Sequence, residues 1–186
     1  MRFALLPSVL FGLLALAGCA DTPSLPDAVH SELVAPYQLD SGDQLRVIVF
    51  GQDDLSNTYV VDQAGRITLP LIGAIPARGH TTTDISATIE ARLRDGYLRN
   101  PNVAVEVDKY RPFFAMGEVG AAGQYAFVPG MTVQQAIAVA GGFTPRANEY
   151  SVQVTRSYNG QVQTAWLTLT DPILPGDTLT VRERLL

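Results

Sequence analysis

Gly42-Asp43-Gln44-Leu45-Arg46-Val47 and Gly176-Asp177-Thr178-Leu179-Thr180-Val181 are the stretches that decide the fold: one GD-x-L-x-V pattern stands near the start of the chain and again at its end. In each, a glycine–aspartate turn delivers the backbone into a β-rich run. The segments between them repeat a design, strands around one helix, without repeating a sequence. Two modules of one α+β class follow from that pattern, each small and β-rich with a single helix.

Working outward from the first copy, Leu45, Val47 and Val49 alternate with Arg46, Ile48 and Phe50, which leaves apolar side chains on both faces and predicts a buried strand. Thr58 to Val61 and Arg66 to Leu69 flank Asp62-Gln63-Ala64-Gly65, where Gly65 can supply a positive φ, so the two runs are expected to pair antiparallel. Leu71, Ile72 and Ile75 are expected to continue in extended form between Pro70, Gly73 and Pro76. Thr81 and Asp84 form a T-x-x-D capping box, and Ile85, Ile89 and Leu93 recur at every fourth position up to Gly96, which predicts a helix with one apolar face. Val103, Val105 and Val107 then alternate with polar or small residues as in a half-exposed strand.

The second module opens with strand-like runs from Phe113 to Val119 and from Tyr125 to Val128. Thr132-x-x-Gln135 is a second capping box, followed by the stripe Val133, Ala136, Ile137, Ala140 and the stop Gly141-Gly142. Ser151 to Tyr158 and Gln161 to Thr170 are joined by Asn159-Gly160, the strongest short hairpin signal.

Composition narrows the function. The 186 residues include 13 Lys or Arg, 18 Asp or Glu and 2 His, for a net charge of −5. With a pI near 4.9 and Lys109 as its single lysine, the chain lacks a basic stripe for a phosphate backbone, which argues against nucleic acid as a partner. One cysteine allows neither an internal disulfide nor a thiolate zinc cage, and His30 and His80 make a poor metal set. No metal or cofactor site is expected.

That lone cysteine stands in a processing signal. The first twenty residues hold no acid, one Arg at position 2, and an apolar run from Phe3 to Ala17. A bilayer-spanning helix needs about 20 apolar residues and a secretory core about 7–15, so the run fits a signal peptide. Leu16-Ala17-Gly18-Cys19 resembles the lipobox of bacterial lipoproteins, which implies cleavage after residue 18 and acylation of Cys19, with palmitate among the chains. The competing reading is an uncleaved anchor or a secretory peptide with an incidental cysteine. Stable anchoring takes two lipid signals, as bacterial lipoproteins carry. In that class an Asp directly after the cysteine marks inner-membrane retention; Ala20 stands there instead, which favours the outer membrane, on its periplasmic side. Residues 19–36 then form the acylated N-terminus and a Pro-rich tether.

Candidate chemistry is thin. Gly117-x-x-Gly120-x-x-Gly123 could cradle phosphate only with a helix directly behind it; a strand-like run follows, so a turn is expected. Asp53 and Asp54 are paired carboxylates, but no base with an orienting group is near in sequence, and no serine carries a nucleophile motif. No catalytic residue is assigned, and the chain is not read as an enzyme. Trp166 with Tyr125, Tyr150 and Tyr158 can stack on sugar rings, or can serve as core and cross-strand aromatics.

The arrangement resembles a family. Tyr37-Gln-Leu-Asp-Ser-Gly42-Asp43-Gln-Leu45, then Val61-Asp62-Gln-Ala-Gly65-Arg-Ile67-Thr-Leu-Pro70-Leu-Ile-Gly73, then Pro101-Asn-Val103-Ala-Val105, is similar to the polysaccharide export domain of Wza-like outer-membrane lipoproteins. Gly117-Glu118-Val119-Gly120, Gly123-Gln-Tyr125, Met131-Thr132-Val133, the run Ala136 to Phe143, and Pro175-Gly176-Asp177 resemble their soluble-ligand-binding β-grasp (SLBB) domain. Residues 37–108 and 109–186 are the expected domains. The resemblance implies a homo-oligomeric ring, commonly an octamer, that conducts capsular or exopolysaccharide from an inner-membrane synthesis and copolymerase complex to the cell surface.

Ala122 stands where that family commonly has Pro, and Gln134-Gln135 where it has Leu-Asp. Long members add further modules and a pore-lining helix, whereas this sequence ends at Leu186, so a separate outer-membrane β-barrel is expected to supply the hole. Residues 37–108 carry 6 basic and 10 acidic groups and residues 109–186 carry 6 and 5, so the near-neutral second module is the one suited to weak, repeated contact with an anionic chain. The alternative is a monomeric outer-membrane lipoprotein whose β-grasp domain binds a soluble glycan or small ligand; an enzyme acting on cell-wall glycan ranks third.

Overall fold

A computed structural model describes residues 36–158 and 161–184 of the chain. Among the described residues ten strands and two α-helices, with one 3₁₀ turn, fall into two groups, each with its own core and one α-helix. The class is α+β.

In the first group, β1 (Gln44–Val49) is flanked by β2 (Asn57–Val60) and β5 (Val103–Lys109), both antiparallel to it. Leu45, Val47 and Val49 are buried, but on the other face Arg46 and Phe50 are exposed and Ile48 half-buried, so the strand expected to be buried is covered on one face only. A separate hairpin pairs β3 (Arg66–Leu69) with β4 (Gly73–Pro76). Helix α1 (Thr82–Arg94) lays Ile85, Ile89 and Leu93 onto this core, where each such side chain contributes about 1.5–3 kcal/mol by leaving water. Its first turn closes as the sequence predicts: Thr81 Oγ1 accepts the Asp84 N–H (3.2 Å), and Asp84 Oδ2 accepts the Thr81 N–H (2.9 Å). Arg92 Nη1 donates to the carbonyls of Ile72 and Ala74, and Glu90 accepts the Val103 N–H, so the helix ties the hairpin to β5.

Two further expectations for this module are corrected. The turn at Asp62–Gly65 forms, with Gly65 at φ +77 and the Asp62 N–H donating to the Arg66 carbonyl, but β2 and β3 do not pair beyond it. β2 has its partner in β1, and β3 finds its own in β4. The run from Leu71 to Ile75 is not one extended segment either. The chain reverses at Leu71, the one non-glycine described residue with a positive φ (+68), where the Ile72 N–H donates to the Pro70 carbonyl.

In the second group, β6 (Phe113–Gly117), β7 (Gly123–Tyr125), β8 (Val152–Tyr158), β9 (Gln161–Leu167) and β10 (Thr178–Val181) form one sheet in the order β7-β6-β10-β8-β9. β6 and β10 run parallel and every other pair antiparallel. Helix α2 (Val133–Val139) buries Val133, Ala136 and Ile137 against the inward face, a β-grasp-like arrangement. The Thr132–Gln135 capping box is present in both directions. β8 and β9 pair as expected, while the turn residues Asn159 and Gly160 lie outside the described residues. The strand expected at Tyr125–Val128 sits earlier, at Gly123–Tyr125, because Tyr125 pairs with Phe113 and the chain leaves the sheet after it.

Candidate functional site

The two GD turns are the same structure twice. In each, the aspartate carboxylate folds back onto the amide three residues earlier: Asp43 Oδ2 accepts the Asp40 N–H (2.9 Å), and Asp177 Oδ2 accepts the Leu174 N–H (2.8 Å). Gly42 and Gly176 supply the positive φ values, +95 and +84, that the turns need. Asp43 and Asp177 are also the buried acids of the described residues, both at 0% exposure.

A buried carboxylate needs charge and hydrogen-bond partners. Asp177 takes a bidentate pair from Arg156 on β8, with Nε and Nη2 each at 2.8 Å. Asp43 takes its cation from the segment between the modules. Arg111 donates its backbone N–H to Oδ1 (3.0 Å) and Nη1 to Oδ2 (3.3 Å), while the Tyr37 hydroxyl donates to Oδ2 (2.7 Å). Burial pushes the Tyr37 phenol well above its usual range, against the opposing pull of Arg111. The Arg111 stem lies against Gly176, where a Cβ would come within 2.6 Å of Nε, so one side chain touches both turns.

Around this clasp the aromatic rings of Tyr37, Tyr110 and Phe127 meet edge to face, with centroids 5.1 and 5.6 Å apart. Tyr37 packs on the first core and Phe127 on the second, so the series bridges them. Tyr110 also walls two clefts. One of about 580 Å³ opens onto the start of α1, and one of about 420 Å³ is lined by Lys109, Tyr125, Phe127 and Pro129. Beside the clasp, burial would raise the Asp40 carboxyl, but the Ser41 N–H together with Arg78 and Arg111 holds it below its usual range.

The second module presents two further surfaces. On the helix side, Ile137, Ala138, Phe143, Ala147 and Leu169 floor a groove of about 610 Å³, rimmed by Gln134, Glu149, Arg184 and Tyr150. On the opposite side, outward residues of the sheet align across strands. Phe114, Thr178, Thr155 and Thr164 form one row, and Met116, Thr180, Gln153 and Trp166 the next. Arg182 lies over the Trp166 ring at 5.2 Å, and its Nε and Nη2 donate to Gln153 Oε1 at 3.2 and 2.8 Å.

The residues singled out from sequence are scattered. Cys19 and His30 lie outside the described residues. Asp53 and Asp54 sit on an exposed 3₁₀ turn, and His80 is exposed beside Gly79. Gly117 and Gly120 belong to a turn whose backbone is packed: a Cβ on Gly117 would lie 2.1 Å from the Val181 carbonyl oxygen, and one on Gly120 2.5 Å from that of Gly141. Gly141 and Gly142 close α2 with positive φ. Tyr125 stacks on Phe113, its hydroxyl donating to the Ala121 carbonyl. Tyr150 is 86% exposed at the groove and Trp166 48% exposed on the sheet, so among the described side chains Tyr125, Tyr150 and Trp166 form no common platform, while the Tyr158 side chain lies outside them. Sequence reasoning missed Arg111, Gln153 and Arg182. A signal for the last two was present, since Gln153, Thr155, Thr178 and Thr180 leave every outward position of two strands uncharged.

Among the described residues no three His, Cys, Asp or Glu side chains gather as a metal site, and no helix is long and apolar enough to cross a membrane. The family comparisons give the class. Residues 31–108 match the family model described as polysaccharide biosynthesis/export protein, and residues 116–164 match the SLBB domain. The first module is thus similar to the polysaccharide export proteins and the second to the SLBB domain. The chain is 34% identical over 90 residues to the exopolysaccharide production protein ExoF of Rhizobium meliloti, which is 47% of this chain and 21% of the relative. It is 26% identical over 116 residues to the polysialic acid transport protein KpsD of Escherichia coli, 61% of this chain and 21% of the relative. The chain thus spans about a fifth of the length of these curated relatives.

Proposed function

We infer that this protein takes part in moving capsular or exopolysaccharide through the cell envelope, as one subunit of a ring. The observation that carries the reading is the union, in one chain, of an export-family module and an SLBB module, joined by a clasp that seats Arg111 against both GD turns. Relatives named for exopolysaccharide production and polysialic acid transport support the polymer class. Domains 37–108 and 109–186 act as export and SLBB modules, and Cys19 is the acylation site that pins each subunit to the periplasmic side of the outer membrane. An inner-membrane copolymerase feeds the ring, and a separate outer-membrane β-barrel carries the polymer across the bilayer. No step requires this chain to act as an enzyme.

Native mass spectrometry of the full chain extracted in mild detergent tests the reading. A closed ring with a diacylated mass supports it, together with palmitate labelling that Cys19→Ala abolishes. A stable monomer favours the second reading, a lipoprotein that binds a soluble glycan or small ligand, for which the open groove beside Tyr150 is the supporting observation.

A further inference from the structure

The outward face of the second module's sheet is unusual in its charge. An exposed sheet face normally carries charged side chains, yet the two cross-strand rows from Phe114 to Thr164 and from Met116 to Trp166 carry none. Their residues are hydroxyls, an amide, Met and aromatics. Three strand spacings of roughly 4.8 Å make such a row about 14 Å long, enough for an extended ligand to lie across four strands.

A cation reaches this face. Arg182 stands at the Trp166 end, its guanidinium fixed by the Gln153 side-chain oxygen and by the indole ring. Two of its five N–H groups go to that single oxygen. Among the described residues no carboxylate lies within ion-pair distance of Arg182. A positioned guanidinium without a carboxylate, beside a 48%-exposed indole and a row of hydrogen-bonding side chains, is complementary to a ligand with three features. It should have an apolar ring face to stack, hydroxyls to pair with Thr and Gln, and a carboxylate to meet the guanidinium fork.

We propose that this face binds a strand of acidic glycan, with a sugar ring against Trp166 and its carboxylate on Arg182. The proposal rests on the export reading for its physiological ligand, and it assigns the polymer contact to the outer face of the sheet rather than to the groove beside α2. Weak contact is an advantage here, because a transported polymer must also leave.

Trp166 is the single tryptophan of the chain, so intrinsic fluorescence reports this face directly. The purified full chain is titrated with oligogalacturonate, with oligosialic acid and with a neutral glucose oligomer of equal length. The expected result is saturable quenching by at least one acidic oligomer, weakened by added salt, with the neutral oligomer at least about tenfold weaker. Arg182→Gln should remove the preference for acid and leave the thermal melt unchanged, since Arg182 is exposed. Absence of quenching by either acidic oligomer overturns the proposal, as does an Arg182→Gln chain that still prefers acid. A variant that instead lowers the oligomeric mass also overturns it, by making the face a contact between copies.

The two readings fail separately. Normal polymer export in a deletion strain removes the export reading, while the titration still judges the face. Lost export that Arg182→Gln restores in full, with no acidic quenching, removes the face and leaves the export reading.

Discussion

Asp43 and Asp177 are counterparts: each is fully buried, each closes a glycine-containing turn onto the amide three residues back, and each enters the strand that follows it, β1 or β10. They differ in where the compensating cation comes from. Arg156 belongs to the strand beside Asp177, whereas Arg111 reaches Asp43 from 68 residues away, out of the segment that leads into the second module. The second turn is closed within its own sheet. The buried charge of the first finds its cation only when the start of the second module is in place.

Replacing Asp177 by Asn should therefore be severe. It takes the buried charge away from Arg156, which is itself only 10% exposed, and breaking a buried pair costs about 3–5 kcal/mol. Urea denaturation followed by circular dichroism should show a midpoint well below that of the parent chain. A loss under about 1 kcal/mol would mean that the pair contributes little.

Arg111→Ala should act on coupling as much as on stability. Asp43 keeps its bonds to Tyr37 and to the Asp40 N–H, so the first turn survives, but the guanidinium that touches Gly176 is gone. Calorimetry is expected to show one unfolding transition for the parent chain and a broadened or split one for the variant. An unchanged single transition counts against Arg111 as a clasp.

Two glycines separate close packing from backbone preference. Gly117→Ala puts a Cβ 2.1 Å from the Val181 carbonyl oxygen, at a φ of +84, and should cost about 3 kcal/mol or more because β6 and β10 must part. Gly51→Ala meets nothing within 4 Å and pays only for its φ of +74, about 1–2 kcal/mol. Thermal melts of the two variants should rank in that order.

Acid should loosen the clasp through Asp40. Its folded pKa lies below the unfolded value, so its contribution is fully present above the unfolded pKa and is lost as pH falls through the folded one. Melting temperature should thus decline as pH drops from about 5 toward 2, and Asp40→Asn should flatten that limb of the curve. A parallel decline in the variant would assign the acid sensitivity to other groups.

Sequence carried the local devices well. Both capping boxes lie within four residues, as do the glycine stops of both helices, and all form as their spacing requires. The GD repeat announced two modules because its aspartates close their turns on neighbours three residues away. Partners set by tertiary packing were not legible. β2 looked ready to pair with β3 across the Asp62–Gly65 turn, but the choice of β1 depends on a sheet that assembles elsewhere. The reversal at Leu71 hid behind apolar residues that read as strand, and it is held by Arg92 from the helix. Arg111 carried no signal at all, because its role depends on two turns that lie 134 positions apart in the chain.

Polysaccharide at the cell surface, measured after deletion of the gene and again after its restoration, tests the central claim most directly. Surface polymer should fall sharply on deletion, with polymer retained inside the envelope, and return when the chain is supplied. Unaltered surface polymer in the deletion strain, where the parent strain makes the protein at normal levels, would contradict a role in export.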